Sequence, residues 1–368
     1  MKNTVKIIEK FDWVLLNQYI SDGLIYANKH KVYDLWILNY TPKTTYERLW
    51  NDYSLSCRGL VVDAEGTVIA RPFAKFKNYE EHDPSEIDLT EEYEVFEKMD
   101  GSLGILFYYD VAKEWMLATR GSFESEQAIE GMNILKNMFG VGDYYWNALN
   151  KNSTYLYEII FPTNRIVVNY GNLSDMVLLT VIDNKTGYEL SYHDLVIKYQ
   201  DIFSIVKRYT LPKVMNLGEL RVHEVENKEG FVLKFANGFR VKVKFLDYCR
   251  LHSIITNVSN VSVWEALKEG KDLTEIITNV PDEFFSYVKK VIADLEKLYK
   301  SIEGNCLTKH NAIFYGDNKR DKKEFALEAL KYQFSGILFC IYNKKDYSQA
   351  IWKLIRPKFT KPFKDIVE

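Results

Sequence analysis

Between about residue 54 and residue 245 the chain repeats one pattern, short runs of β-branched and aromatic residues closed by turns. The runs are LVVDAEGTVIARPF (60–73), YEVFEKM (93–99), LGILFYYD (103–110), EWMLATR (114–120), YLYEIIF (155–161), MVLLTVID (176–183), GFVLKF (230–235) and FRVKVKF (239–245). Such residues suit a pleated, half-buried surface, and AEG, NKTG and ANG supply turn chemistry between them. The pattern predicts mainly antiparallel sheet with a few helices, one of them around residues 124–139. After about residue 246 the alternation stops. Phe284, Val288, Val291, Leu295, Leu298 and Ile302 recur at steps of three and four behind Pro281 and acidic residues, which predicts a helix with one apolar face. The expected fold class is therefore α+β, with an antiparallel-sheet domain over residues 1–245 and an all-helical domain over residues 246–368.

At 368 residues, with 47% hydrophobic and 15% aromatic residues, the chain is long and apolar enough for two domains. Its 48 basic and 51 acidic residues leave a formal charge of -3. No global positive field draws it to nucleic acid or a membrane, so any polyanion site must be a local patch. Cys57, Cys249, Cys306 and Cys340 are scattered without a CxxC pair, which fits reduced thiols better than disulfides or zinc. The six histidines, His193, His223 and His252 among them, show no metal-ligand spacing. Glu9 and Asp12 interrupt the N-terminal stretch where a signal peptide needs an unbroken apolar segment, and runs such as LGILFYY stop short of a membrane span. A soluble cytoplasmic protein with no membrane partner is expected.

Candidate chemistry concentrates in two places. Asn237-Gly238 reads as a two-residue hairpin turn pairing Ala236 with Phe239. That register puts Glu229, Phe231 and Leu233 on one sheet face with Arg240, Lys242 and Lys244. Three cations on one strand face repel unless an anion lies between them; the alternative is a solvated edge whose lysines discourage edge pairing. The second place is KMDGS (98–102), where Lys98 stands ahead of an apolar strand and beside the backbone freedom of Gly101. Taken alone, Lys98 could simply snorkel to Asp100. It has company, however, in chain order: CRG (57–59), RPFAKF (71–76), KMDGS, YEIIFPTNR (157–165), KEGFV (228–232) and VKVK (241–244).

In this order the motifs resemble those of the covalent nucleotidyltransferases, and within them the tRNA-repairing RNA ligases of T-even bacteriophages. The similarity extends into GSFESEQA (121–128) and, more faintly, DKKEFALEA (321–329). The resemblance implies a nucleotidyltransferase domain followed by a helical domain linked to tRNA specificity, with ATP and Mg²⁺ as cofactors. Lys98 would attack the α-phosphate of ATP and expel pyrophosphate; AMP would pass to an RNA 5′-phosphate; an RNA 3′-OH would displace it and form a 3′-5′ phosphodiester. The resemblance further implies that Lys242 and Lys244 hold the α-phosphate, that Arg58, Lys75 and Arg120 meet phosphates, that Glu158 hydrogen-bonds the ribose, and that Glu229 helps place Mg²⁺. Only about one unperturbed lysine in 10³ is neutral near pH 7.4, and neighbouring cations and burial favour that nucleophilic form. Met99 occupies the variable place of the nucleophile motif, and Lys77 stands where the phage ligases carry a second aromatic. RNA is the implied partner, nicked tRNA in particular, along with a separate end-healing kinase-phosphatase, since no such module is evident in the chain.

A DNA ligase or a capping guanylyltransferase would carry a small β-barrel after the last lysine motif, where this chain turns helical. A non-catalytic RNA-binding protein with the same fold would be expected to have lost at least one of the required ionisable residues. No Walker loop is present.

Overall fold

The computed structural model describes residues 5–360 apart from 141–143, 212–213, 215, 222–224, 226, 257, 273–275, 278–279, 281–283 and 315–320. Pro281 and His223 lie outside the described residues. The chain divides into two compact units, Met1–Ile255 and Thr256–Glu368.

The strands of the first unit are β1 (Ile25–Lys29), β2 (Leu35–Tyr40), β3 (Arg58–Asp63), β4 (Val68–Ala70), β5 (Lys77–Asn78), β6 (Tyr93–Lys98) and β7 (Ser102–Tyr109). They continue with β8 (Glu114–Ala118), β9 (Ser153–Ile160), β10 (Asp175–Asp183), β11 (Arg208–Tyr209), β12 (Gly230–Phe235) and β13 (Arg240–Lys244). Three sheets result, with strand orders β1-β2-β3-β4, β10-β9-β7-β8 and β11-β6-β12-β13-β5. Neighbours pair antiparallel, save β5, which runs parallel to β13.

The first two sheets share a core in which Leu35, Ile37 and Val61 meet Ile105, Phe107 and Leu156. On the other face of the second sheet, Leu106, Tyr157, Ile159 and Met176 pack with Ile134, Leu135 and Phe139 of the helix Glu126–Phe139. β7 is thus covered on both sides, and its sequence reads as a continuous apolar run for that reason. Its covering helix starts where the Ser125 hydroxyl accepts from Ala128 N at 3.1 Å. Ile160, Val177 and Val206 join the second sheet to the third, with Phe96 and Met99 packed against them.

Two strands and the helices Trp13–Ser21 and Pro42–Tyr46 precede residue 54, where strand alternation becomes readable. β2 is buried at five of its six positions, so it lacks the period of two that marks a half-exposed strand. The helix Leu246–Ile255 belongs to the first unit, and the division falls after residue 255 rather than after 245. Its Tyr248 hydroxyl donates to Asp100 Oδ1 at 2.8 Å, anchoring the helix on the sheet domain.

The described part of the second unit is helical, built around Phe285–Phe314 with Asn260–Lys268, Lys322–Ala329, Ser335–Tyr342 and Ser348–Leu354. The long helix buries Val288, Ile292, Leu295, Ile302, Cys306 and Ile313, while Leu298 is 47% exposed. The expected stripe stepped every 3.5 residues, and on a straight helix of 3.6 residues per turn such a stripe slides off the buried face. Among the described residues no helix is long and apolar enough to cross a membrane.

Candidate active site

Lys98 closes β6 and does not open β7; Met99, Asp100 and Gly101 make the connection between the two strands. Its ammonium donates to Glu229 Oε2 at 2.7 Å, and Lys244 Nζ lies 3.2 Å from Glu229 Oε1. Glu229, only 3% exposed, therefore bridges two lysines.

Asp100 does not pair with Lys98. Its Oδ2 accepts from Val167 N at 2.8 Å and Val168 N at 2.7 Å, its Oδ1 accepts from Tyr248, and its own N–H donates to the Tyr170 hydroxyl at 2.9 Å. The aspartate thus pins the segment after β9 beside the lysine. Its partners lie far along the chain, which is why local sequence pattern did not reveal this role.

Gly101 is required by proximity. A Cβ there would stand 2.6 Å from Ile159 O and 3.1 Å from Glu158 Cγ, so only glycine lets β9 approach this closely. The approach allows Gly101 N to donate to Glu158 Oε1 at 2.9 Å. Burial pushes the Glu158 carboxyl up to about 7 even though Lys98 pulls it down, and the nearby Glu229 charge adds to the rise. Near neutral pH this group can either accept or donate a hydrogen bond.

The hairpin differs by one residue from the expected register. β12 and β13 pair Lys234 with Arg240, Val232 with Lys242 and Gly230 with Lys244. Phe235 N donates to Phe239 O at 2.8 Å, so Ala236, Asn237 and Gly238 form a three-residue loop, with Gly238 at φ 85. A one-residue slip exchanges faces: Phe231 and Leu233 lie in the core, opposite the cations, and do not share their surface. Glu229 still reaches Lys244 because it precedes the strand, across Gly230 at φ 153, where a Cβ would sit 2.0 Å from Val243 O.

Along this face the cations have distinct surroundings. Arg240 and Lys234 are both paired with Glu189, which also accepts from the Thr180 hydroxyl at 3.0 Å. Burial raises the Glu189 carboxyl, but Arg240 and Lys234 outweigh it and the net shift is downward. Arg240, expected beside the lysines, is thus engaged in a structural cluster.

Lys242 lies over the Phe76 ring at 5.7 Å, and Arg58 over the same ring at 5.6 Å. Arg58 Nη1 is buried and has no hydrogen-bond partner among the described residues. The Arg58 charge also reaches Glu158. Lys75 sits over Tyr40 at 5.1 Å and Trp50 at 5.5 Å, and Arg120 over Tyr40 at 6.0 Å. Tyr40 is tied in turn to the Arg58 strand, its N–H donating to Cys57 O at 2.8 Å. Lys98, Glu229, Lys244 and Glu158 thus form one centre, while Arg58 and Lys242 share one aromatic ring and Lys75 and Arg120 another.

The family profile described as RNA ligase matches residues 56–248, which contain every one of these groups except Tyr40 and Trp50. A protein of Thermovibrio ammonificans, provisionally named an RNA ligase, is 27% identical over 243 residues, covering 63% of this chain and 60% of its own. The RNA ligase of Rhodothermus phage RM378 is 23% identical over 389 aligned positions, covering 84% of this chain and 85% of its own. A protein of Autographa californica nuclear polyhedrosis virus, provisionally named a bifunctional polynucleotide kinase/RNA ligase, is 26% identical over 71% of this chain and 39% of its own. With more than half of its length matched by the profile, and the profile's span holding the lysine, glutamate and arginine constellation just described, the chain belongs to the RNA ligase family.

Proposed function

We propose that this chain is an ATP-dependent RNA ligase that joins 5′-phosphate and 3′-OH RNA ends through lysyl-adenylate and RNA-adenylate intermediates. The observation that carries the proposal is the Lys98, Glu229 and Lys244 bridge set against Glu158 at the Gly101 turn.

Lys98 is the nucleophile in this proposal. With its ammonium on Glu229 the amine is held in place but occupied, and its proton and that contact must both be given up before the nitrogen can attack phosphorus. Attack forms a P–N bond to AMP as the bond to pyrophosphate breaks. Negative charge gathers on the α-phosphate and the leaving group, where fixed cations lower the barrier most. Lys242 and Lys244 supply that charge at the α-phosphate, while Arg58, with its unpartnered Nη1, and Lys75 and Arg120 meet the remaining phosphates. Glu158 hydrogen-bonds the ribose.

The residues also fit Mg²⁺, which takes one or two protein carboxylates and completes its shell with water and substrate phosphate. Glu229 would hold it, and the ion would supply charge neutralisation at the phosphates. Among the described residues no cluster of three or more acidic, histidine or cysteine side chains is placed to hold a metal ion.

The natural substrate in this proposal is a nicked tRNA in the cytoplasm, selected through the helical unit beyond residue 255. Its ends would be prepared by a separate kinase-phosphatase. The test uses ATP labelled at the α-phosphate, with Mg²⁺ and an RNA bearing both ends. Label should appear first on denatured protein, then on RNA, then as free AMP. Lys98→Ala should take up no label yet still seal an RNA that already carries a 5′-adenylate; a wild-type chain that takes up no label would refute the proposal.

A further inference from the structure

Asn78 is only 2% exposed and stands at the start of the short turn Tyr79–Glu81, where its side chain takes part in a capping box with Glu81; among the described residues its Nδ2 has no hydrogen-bond partner. Burying an amide in this state is costly, and native chains retain such groups where something else satisfies them. Its position in the sheet indicates what that is. β5 runs parallel to β13 with Asn78 in register with Lys242 and Lys77 with Val241. Register partners project to the same side of a sheet, so the Asn78 amide shares the face of Lys242, and Lys77 turns to the side of the buried Val241. Two residues before Asn78, the Phe76 ring lies against both Lys242 and Arg58. The backbone around the amide is fixed, with Asn78 N donating to Glu81 Oε2 at 2.7 Å.

Two buried donors without acceptors, Asn78 Nδ2 and Arg58 Nη1, therefore occur in the neighbourhood of one aromatic ring and one lysine. Donors gathered beside positive charge are complementary to an anion. We infer that Asn78 is a nucleotide-binding residue whose Nδ2 donates to an oxygen of the same α-phosphate that Lys242 contacts. This inference rests on the ligase reading of the site. It extends the phosphate contacts beyond the lysines and arginines to a neutral side chain that the sequence motifs left unassigned.

A structural role and a ligand role make different predictions for the free protein. Asn78→Leu keeps approximate shape and removes both polar atoms. The nucleotide-free variant loses its place in the cap together with an unsatisfied amide group, two opposed effects, so it should melt close to the wild-type temperature. Its affinity for ATP and for AMP, by calorimetry, should fall by about tenfold or more, on the scale of a hydrogen bond to a charged group. Pyrophosphate, which lacks the α-phosphate, should bind as it does to the wild type. Asn78→Asp provides the second reading: it keeps the size but sets a carboxylate against the phosphate, and should weaken ATP further without lowering the melting temperature of the free protein. If Asn78→Leu melts lower than the wild type, the Asp variant decides, and wild-type affinity for ATP in it overturns the inference. Unchanged ATP and AMP affinity in both variants overturns it as well. Wild-type protein measured alongside separates the two levels: no ATP binding there removes the ligase reading itself, whereas binding there and equal binding in the variants removes only the role of Asn78.

Discussion

The two ends of the β12–β13 hairpin carry the same ingredients, a carboxylate between two cations, and are built for different ends. At the loop end Glu189 holds Arg240 and Lys234, and Thr180 adds a further hydrogen bond. At the other end Glu229 holds Lys98 and Lys244. What differs is the company. Around Glu189 the favourable charges outweigh burial and the carboxyl is held below its ordinary range. Beside Glu229, Glu158 is under-compensated and rises to about 7. Two buried donors, on Arg58 and Asn78, have no acceptor within the described structure. A saturated cluster is the pattern of a structural contact, whereas an excess of donors beside a frustrated carboxylate is the pattern on which the proposed nucleotide site rests.

The largest effect that would sharpen this contrast comes from Glu229→Gln. Removing the charge that positions Lys98 and Lys244 should slow adenylation by at least about 10²-fold, roughly 2.7 kcal/mol in the barrier. Lys242→Ala and Lys244→Ala should fall in the same range. Near wild-type rates in all three would leave the lysine face merely solvated and erase the difference between the two ends. Glu189→Gln should show the reverse signature: a stability loss of about 2 kcal/mol, on the scale of hydrogen bonds to a charged group, read by denaturant titration. Its adenylation rate per folded molecule should stay within about threefold of wild type, a factor worth less than 1 kcal/mol.

The smallest effect is a pH slope. The Glu158 carboxyl ionises near 4.5 ordinarily and near 7 in the folded chain. Between those values the unfolded chain has lost a proton that the folded chain keeps, so this group's contribution to stability falls as pH rises through the window and levels off above it. Melting temperatures of Glu158→Gln should therefore decline less steeply from pH 4.5 to 7 than those of the wild type. Parallel curves would mean that Glu158 is not held in the protonated form.

The ionisable residues of the centre were legible because their motifs are short and local: Lys98 in KMDGS, Glu158 in YEIIF, Glu229 in KEGFV, and the lysine pair in VKVK. The structure brings Lys98 and Lys244 together on Glu229, and places Glu158 on Gly101 within reach of the Lys98 and Glu229 charges, through strands distant in sequence. The hairpin register was not legible, since Asn-Gly spells a two-residue turn while Asn237 Oδ1 accepting from Phe239 N at 2.9 Å helps hold a three-residue loop. β2 was hidden by burial on both faces, which removes alternation. Asn78 was invisible for another reason. An unsatisfied amide is a property of what surrounds a residue, and in the sequence Asn78 looks like any asparagine ahead of a turn.

The central claim is that Lys98, held by Glu229, is the group that takes the nucleotide. Wild-type protein incubated with ATP and Mg²⁺, denatured, digested and examined by mass spectrometry should carry AMP on the peptide containing Lys98, through an acid-labile P–N bond, and pyrophosphate should reverse the modification in the native protein. No adduct, or an adduct mapped to Lys242 or Lys244 with Lys98 unmodified, would contradict it.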